Sequence, residues 1–446
     1  MESRQGVVRD LTSDGYGVVA PPDGPVVLLP YVIEGEVVRY VVERRRRQLL
    51  YGRLVEVQEV SPHRVKPVCS AFGRCGGCRW QMMNYAHQLE VKRRFVEAQL
   101  KHIGQVEVAV PPVRGSPHPW QYRNKVEYAF GRGPSGEIVV GFHPRGDFRR
   151  VIPIEACQII PPAFEEVRRL VQNQVQHLGL APYDPQRHEG VWRELLIRGT
   201  QENYIVLVSL SQERSDWAEK LLDPIRSLPG CRGAGYFYNP KRNNSLHDLT
   251  PRILWGSLEL VYRVGGREFE VGPVDFFQVN LMQAEALVEW LRARVPETPI
   301  LYDLYGGVGF LGISLAERAK RLVLIENLPS AVGQARKNFV RNQAFYPGVE
   351  FESITGSLEK VWPCMAVPSE ATALVDPPRE GLHPSLVKAL QQAPFAHLFY
   401  VSCHPATQAR DVAALQKAYE VREVQPFDMF PHTSGIENVA WLVRRK

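Results

Sequence analysis

Ile300-Leu-Tyr-Asp-Leu-Tyr-Gly-Gly-Val-Gly309 decides the fold of this 446-residue chain. Ile300-Leu-Tyr-Asp303 reads as a short apolar strand that runs into a glycine loop ahead of a helical stretch. Glycines let a backbone turn sharply and come close to a ligand. Working outward, Arg321–Glu326, Ala371–Asp376 and His397–Ser402 are further apolar strands, Leu281–Arg294 is helical, and Val439–Arg444 is a last short strand. Strands and helices alternating from about residue 265 imply a parallel sheet. Glu326 ends the strand after the loop, where a carboxylate can accept both ribose hydroxyls of a nucleoside. Asp303 would repel a pyrophosphate, which favours S-adenosylmethionine over a dinucleotide. Another nucleotide, or a plain packing turn, is the alternative.

Chemistry-bearing residues fall at the ends of the same strands. Cys403, in Phe399-Tyr-Val-Ser-Cys-His-Pro-Ala-Thr407, closes an apolar strand and opens a polar turn, a good place for a nucleophile beside a cofactor crevice. Asp376-Pro-Pro-Arg379 ends another strand, and its two prolines stiffen the loop so that Asp376 points into the crevice. Glu437, just before the last strand, can be desolvated enough to act as a general base; alone it reads as a surface Glu. Phe276-Phe-Gln-Val-Asn280 precedes the helix leading to the glycine loop. In an extended segment one of its two Phe can face the site, where an aromatic can stack on an extruded base.

Residues 1–60 carry short, evenly spaced strands with turns at Asp14-Gly15-Tyr16-Gly17 and Pro21-Pro22-Asp23-Gly24, the pattern of a small barrel. Arg44-Arg45-Arg46-Arg47 puts four cations on one connection, either a solvated turn or a phosphate-contacting rim. Tyr85–Leu100 is helical, and from about 106 to 262 strands and turns predominate, with helices near Ala163–Leu178 and Ser215–Ser227. Cys69, Cys75 and Cys78, with Cys157 downstream, supply four thiolates; the spacing lacks the paired knuckles of a zinc ribbon and leans toward iron–sulfur. Cys231 and Cys364 read as small core residues. A charge of +6 fits a polyanionic partner, 44% hydrophobic content supports real cores, and 23% charged content argues against global disorder. Neither a signal peptide nor a membrane span is expected, and the odd count of 7 cysteines fits metal binding or catalysis in a cytoplasmic protein better than a disulfide framework.

Taken together, these motifs resemble those of the RNA uracil-5-methyltransferase family, over essentially the whole chain. The resemblance implies an α/β protein: an OB-like TRAM barrel (1–60) for RNA, a mostly β central domain with a four-Cys cluster (61–262), and a C-terminal Rossmann-like class I methyltransferase domain (263–446). It implies S-adenosylmethionine and a 4Fe–4S cluster, the latter on Cys69, Cys75, Cys78 and Cys157. Phe276 would stack on the target base; Gln278, Tyr305, Gly307, Glu326 and Asp376 would hold the cofactor; Cys403 would be the nucleophile and Glu437 the base. Arg123, in Trp120-Gln-Tyr-Arg-Asn-Lys125, and Arg379 are candidate substrate contacts. The chain departs from the family at His404, where Asn or Asp is usual, and at Phe310, where a polar residue often follows the glycine loop. The expected reaction is methylation of uridine carbon 5 in RNA by a monomer, with rRNA favoured over tRNA. A cytosine-5-methyltransferase, a non-catalytic RNA-binding or ribosome-assembly protein, and a redox protein using the clustered thiols are the rival readings.

Overall fold

The structure, a computed structural model, describes residues 3–20, 24–47, 49–362, 365 and 367–445. Cys364 and most of the Pro21–Gly24 turn lie outside the described residues.

Five strands, β1 (Ser3–Leu11), β2 (Tyr16–Val19), β3 (Val27–Pro30), β4 (Val37–Arg46) and β5 (Leu49–Glu59), close into a barrel in the order β1-β2-β3-β5-β4. Their alternation turns Val8, Val19, Val27, Leu29, Val38 and Tyr40 inward. The arginine run is not a connection as expected: Arg44, Arg45 and Arg46 finish β4 and pair with Tyr51, Leu50 and Leu49 of β5. Of the four arginines, only Arg47 lies beyond β4, at φ 54°.

Helix α1 (Tyr85–His102) comes next, capped by Asn84, whose side chain accepts from the His87 amide. Its Val96 and Leu100 bury in the core on one face of the C-terminal sheet, although α1 precedes the central strands in the chain. The central sheet holds β6 (Lys125–Arg132), β7 (Ile138–Gly141), β8 (Trp192–Gly199), β9 (Tyr204–Leu210), β10 (Cys231–Tyr238) and β11 (Arg252–Gly256) in the order β11-β10-β9-β8-β6-β7. Helices α2 (Pro162–Leu178) and α3 (Ser215–Leu222) pack on it through Val167, Val171, Val175 and Leu221. The helical stretch read as Ser215–Ser227 changes at Asp223–Ser227 into a tighter 3₁₀ turn containing Pro224, which has no amide to donate.

A hairpin of β12 (Leu260–Val264) and β13 (Arg267–Val271) straddles the sequence boundary at 262/263 and joins the core of the C-terminal region. Beyond it come α4 (Leu281–Arg292), β14 (Thr298–Leu304), α5 (Phe310–Ser314), β15 (Ala319–Glu326), α6 (Pro329–Asn342), β16 (Glu350–Thr355), α7 (Leu358–Val361), β17 (Thr372–Val375), α8 (Pro384–Gln392), β18 (His397–Ser402), α9 (Pro405–Leu415), β19 (Tyr419–Phe427) and β20 (Glu437–Arg444). The seven strands lie in the order β16-β15-β14-β17-β18-β20-β19. All pairings are parallel except those of β20. Both faces are covered: Leu301, Leu322, Leu374 and Phe399 enter one core, and Tyr302, Val323, Ala373 and Leu398 the other. The chain runs outward in one direction from β14 and in the other from β17, so a crevice opens between the carboxyl ends of these two neighbours. Among the described residues, no helix is long and apolar enough to cross a membrane.

Candidate active site

The carboxyl edge of this sheet gathers the glycine loop after β14, Glu326 at the end of β15, Asp376 after β17 and Cys403 after β18. β20 runs the other way, so its first residue, Glu437, arrives at the same edge. Ser402 pairs with Asn438, which sets Cys403 beside Glu437 at the end of the ladder. Gln408, on α9, locks that end. Its Nε2 donates to the Tyr400 carbonyl (2.8 Å) and the Asn438 carbonyl (3.0 Å), and its Oε1 accepts from Asn438 Nδ2 (2.7 Å), all buried. The Asp376–Arg379 loop is tied to the same helix: Thr407 Oγ1 donates to the Arg379 carbonyl (3.0 Å), and Arg410 Nη2 to the Glu380 carbonyl (2.9 Å). Asp411 accepts from the Leu382 amide (2.7 Å) and from Tyr400 Oη (2.8 Å). Gln408, Asp411 and Asn438 carry no short-range sequence signal, and sequence reasoning misses them.

The edge is rich in acids and poor in compensating charge. Burial pushes the Cys403 thiol up to about 11; the Glu437 carboxylate adds to this, and the Arg379 guanidinium pulls it back. Burial, with Asp376 adding and Arg379 opposing, holds Glu437 well above the carboxylate range, and its Oε1 has no hydrogen-bond partner among the described residues. Burial and the neighbouring Asp303 push Asp376 up to about 7. Asp303 is itself raised to about 7 by burial, although the Gly312 amide donates to its Oδ2 at 2.9 Å. The site therefore disfavours the Cys403 thiolate and negative charge on its buried carboxyls.

Arg379 lowers the thiol pKa, so its removal raises it, and at any pH below the pKa a smaller thiolate fraction reacts. Alkylation of Cys403 by iodoacetamide should climb steadily as the pH approaches about 11 in the wild type. Arg379→Gln should shift that curve to higher pH and slow labelling at pH 8; superimposable curves would remove Arg379 from the thiol's environment.

His404 is the N-cap of α9. Its Nδ1 accepts from the Thr407 amide at 3.3 Å, while its own amide donates to Ser402 Oγ at 3.1 Å. Asn and Asp are the usual residues at such a position, so His404 preserves a helix cap ahead of Pro405. His404→Asn should leave stability nearly unchanged and His404→Ala should cost about 1 kcal/mol in denaturant unfolding. A destabilised Asn variant would contradict the capping role.

Phe276, Phe277, Gln278, Asp303, Tyr305, Gly307, Phe310 and Asp376 line a cleft with an enclosed volume of about 30 Å³. Phe276 is 70% exposed and Phe277 buried, as the extended reading requires. Phe277 stacks on Tyr262 (5.2 Å) and meets Phe310 edge-on (5.1 Å), so the Phe after the glycine loop packs that loop against the Phe276–Asn280 segment. Tyr305 reaches the cleft through a left-handed backbone, φ 62°. Glu326 folds back on the loop, accepting from the amides of Gly307 (3.0 Å) and Leu328 (2.9 Å). The segment carrying Phe276 is held from the central sheet. The Asn124 side chain donates to the Gln278 carbonyl (2.9 Å), and buried Arg198 donates to the carbonyls of Gly272 (2.9 Å) and Asp275 (2.5 Å). Neither anchor is visible in the sequence. Arg123 lies in the same bridging segment and lines both the cysteine cavity and a neighbouring pocket with Gln121 and Met282.

Cys69, Cys75, Cys78 and Cys157 line that cavity, of about 320 Å³. It is much larger than the cleft beside Asp376, but it contains neither Cys403 nor Glu437. The Gly77 amide donates to Cys75 Sγ at 3.5 Å. The four thiols share the cavity without closing to ligand spacing: among the described residues, no group of three or more His, Cys, Asp or Glu is set to hold a metal ion. The expected 4Fe–4S site is thus not preformed. Cys231 is partly exposed and packs against the core of the central sheet.

The profile of the tRNA (uracil-5-)-methyltransferase family matches residues 366–445, the stretch that carries Asp376, Cys403 and Glu437. A Halalkalibacterium halodurans protein named an uncharacterized RNA methyltransferase is 34% identical, over 98% of this chain and 95% of its own length. A Bacteroides thetaiotaomicron protein of the same description is 31% identical over 96% and 98%. The chain belongs to the RNA uracil-5-methyltransferase family. Its fold agrees with the crystal structure of the Pyrococcus abyssi tRNA (uracil-54, C5)-methyltransferase in complex with S-adenosyl-L-homocysteine, with a TM-score of 0.78, 29% identity and coverage of 98% and 99%. Membership accounts for the likeness running through barrel, central sheet and C-terminal sheet alike.

Proposed function

We propose that this family member methylates carbon 5 of a uridine in RNA, using S-adenosylmethionine, through a transient bond between Cys403 and uracil carbon 6. The observation that carries the reading is the placement of Cys403 near Glu437, one step beyond the Ser402–Asn438 pair at the sheet edge, with Asp376 and Arg379 beside them. When bound, S-adenosylmethionine supplies its methyl as an electrophile on a cationic sulfonium. Uracil carbon 5 is too weak a nucleophile to take it unaided. Cys403 gives its proton to solvent, its sulfur adds to carbon 6, and the C5–C6 double-bond electrons move onto the O4 carbonyl as an enolate. Carbon 5 then accepts the methyl. Glu437, as carboxylate, removes the carbon-5 proton; that electron pair restores the double bond and expels the Cys403 thiolate. Arg379 offsets the negative charge that gathers at Cys403 and Glu437.

Gln278, Tyr305, Gly307 and Asp376 would hold the methyl donor in the cleft, with Glu326 at the ribose. Phe276 is exposed and able to stack on the extruded base. The strand order fits a Rossmann-like class I methyltransferase domain over 263–446, and the closed barrel of 1–60 fits an OB-like TRAM module that grips RNA with Arg44–Arg47, in a cytoplasmic monomer. His404 caps a helix, and the likeness to the uracil-5 family favours uracil over the cytosine alternative. The likeness of the barrel-and-cysteine layout to many rRNA-directed family members favours rRNA, although some tRNA enzymes share that layout and the matching Pyrococcus abyssi structure is a tRNA methyltransferase. Mapping labelled methyl onto total rRNA and tRNA, with Cys403→Ala as control, tests the reading: Cys403-dependent 5-methyluridine is expected, and label only on another base or on neither RNA would overturn it.

The donor set of Cys69, Cys75, Cys78 and Cys157, four thiols around one cavity whose lining also includes Glu127 and His143, fits a 4Fe–4S cluster once the thiols draw together. Such a cluster would hold the central region in shape. The contacts run onward from it: the Arg79 and Trp80 amides, next to Cys78, both donate to the His432 carbonyl (2.9 and 3.0 Å), in the loop that leads to Glu437. Anaerobically purified protein should carry about four irons per chain. Cys75→Ser should lose them, together with RNA binding and turnover; an iron-free wild type with full activity would remove the cluster.

A further inference from the structure

We propose that the hairpin tip of residues 143–150 is an RNA-contacting finger, in which Phe148 stacks on an unpaired base flanking the target and Arg149 and Arg150 meet its phosphates. This deepens the RNA methylation reading and rests on it. Phe142 and Ile152 exchange backbone hydrogen bonds (3.3 and 2.7 Å) at the base of the tip. Gly146, at φ 74°, completes a turn in which the Asp147 amide donates to the Pro144 carbonyl (3.3 Å). Phe148 is 74% exposed, more than Phe276, so the fold itself gains little from it. Asp147 accepts from Arg149 Nε (3.1 Å) and Arg150 Nε (2.9 Å), which ties both guanidinium groups to the tip that carries Phe148. One carboxylate against two exposed arginines leaves the tip cationic. An exposed aromatic ring flanked by exposed cations has the chemistry of single-strand recognition.

The finger continues a stripe of the same kind. Arg145 lies over the Tyr16 ring at 3.7 Å, Tyr16 meets Tyr51 edge-on at 5.5 Å, and Arg44 lies over Tyr51 at 4.8 Å. Two cations thus flank a pair of rings between the arginine-rich end of β4 and the foot of the finger. From the same Arg145, contacts also lead to the loop before Glu437. Arg145 Nη2 donates to the Asp14 carbonyl (2.9 Å), Arg79 donates to that same carbonyl, and Arg79 also reaches Ser434 Oγ (3.5 Å), in the loop before Glu437. A strand laid along the stripe would pass from the barrel to the finger.

Phe148→Ala and the double variant Arg149→Ala, Arg150→Ala change exposed side chains and should fold normally. The test is fluorescence anisotropy of a labelled oligouridylate across a salt series, with methyl transfer to total RNA measured alongside. Phe148→Ala should weaken binding about 10-fold and raise KM for RNA while sparing kcat. The double variant should flatten the slope of log affinity against log salt by roughly 1. Phe345→Ala, which removes an exposed ring 53% accessible and remote in sequence, serves as the control and should change neither. Wild-type affinity and salt slope in both finger variants would overturn the proposal. Absence of methyl transfer by the wild type would instead sink the reaction assigned above, and the binding measurement would still decide the finger.

Discussion

Cys403→Ala is expected to abolish methyl transfer, lowering kcat on the order of 10⁶-fold, the scale on which covalent catalysts fail when the nucleophile is lost. The reason is chemical rather than structural. Without addition at carbon 6, the enolate that makes carbon 5 nucleophilic does not form, and among the described residues no other thiol stands at this edge of the sheet. The folded state should be little affected. Cys403 is only partly buried, and the Gln408–Asn438 lock holds β18 to β20 through backbone carbonyls and amide side chains rather than through the thiol. RNA affinity and unfolding midpoint should therefore stay near those of the wild type. Retention of more than a trace of turnover by Cys403→Ala would remove covalent catalysis.

Glu437→Gln should behave differently. The thiol can still add and carbon 5 can still take the methyl, but its proton has no base to go to. Turnover should fall by about 10²- to 10⁴-fold, the usual contribution of a general base. The methylated RNA should remain bonded to Cys403, visible as an adduct that survives denaturation and is absent from the Cys403→Ala, Glu437→Gln double variant. The substitution also takes one acid out of the Asp376–Glu437–Cys403 group. Since Glu437 raises the Cys403 pKa, that pKa should fall and alkylation of the free enzyme should become faster near neutral pH, opposite in sign to Arg379→Gln. An enzyme slow in turnover, faster in alkylation and loaded with adduct would separate the role of a base from a loss of folding.

Much of this is legible in the sequence, for a physical reason. Residues 300–309 and the strands ending at Glu326, Asp376 and Cys403 are mostly buried on both faces, so they read as apolar runs, and in a parallel sheet the residues just past each run gather at one edge. Glu437 is readable as a member of that edge only through its company, because it arrives on the one strand running the other way. The β16 strand, Glu350–Thr355, escapes a reading of the sequence: it lies at the sheet edge, and its burial is only partial. β19, also at an edge, alternates charge with apolar residues and contains Pro426, which hides it from a search for apolar runs. Arg198, Asn124 and Gln408 tie together segments far apart in the chain, and a single sequence gives no sign of such pairings. The four cysteines are recognisable as a group, and they do meet at one cavity, but spacing along the chain does not report how closely the thiols approach.

The most direct test of the central claim is release of tritium from RNA labelled at carbon 5 of uridine, measured beside transfer of the methyl group. Methylation at that carbon must displace its hydrogen, one for each methyl gained. The account predicts equal release and transfer, both lost in Cys403→Ala. Methyl transfer without release of uridine tritium would place the reaction at another atom or another base and contradict the assignment of Cys403 and Glu437.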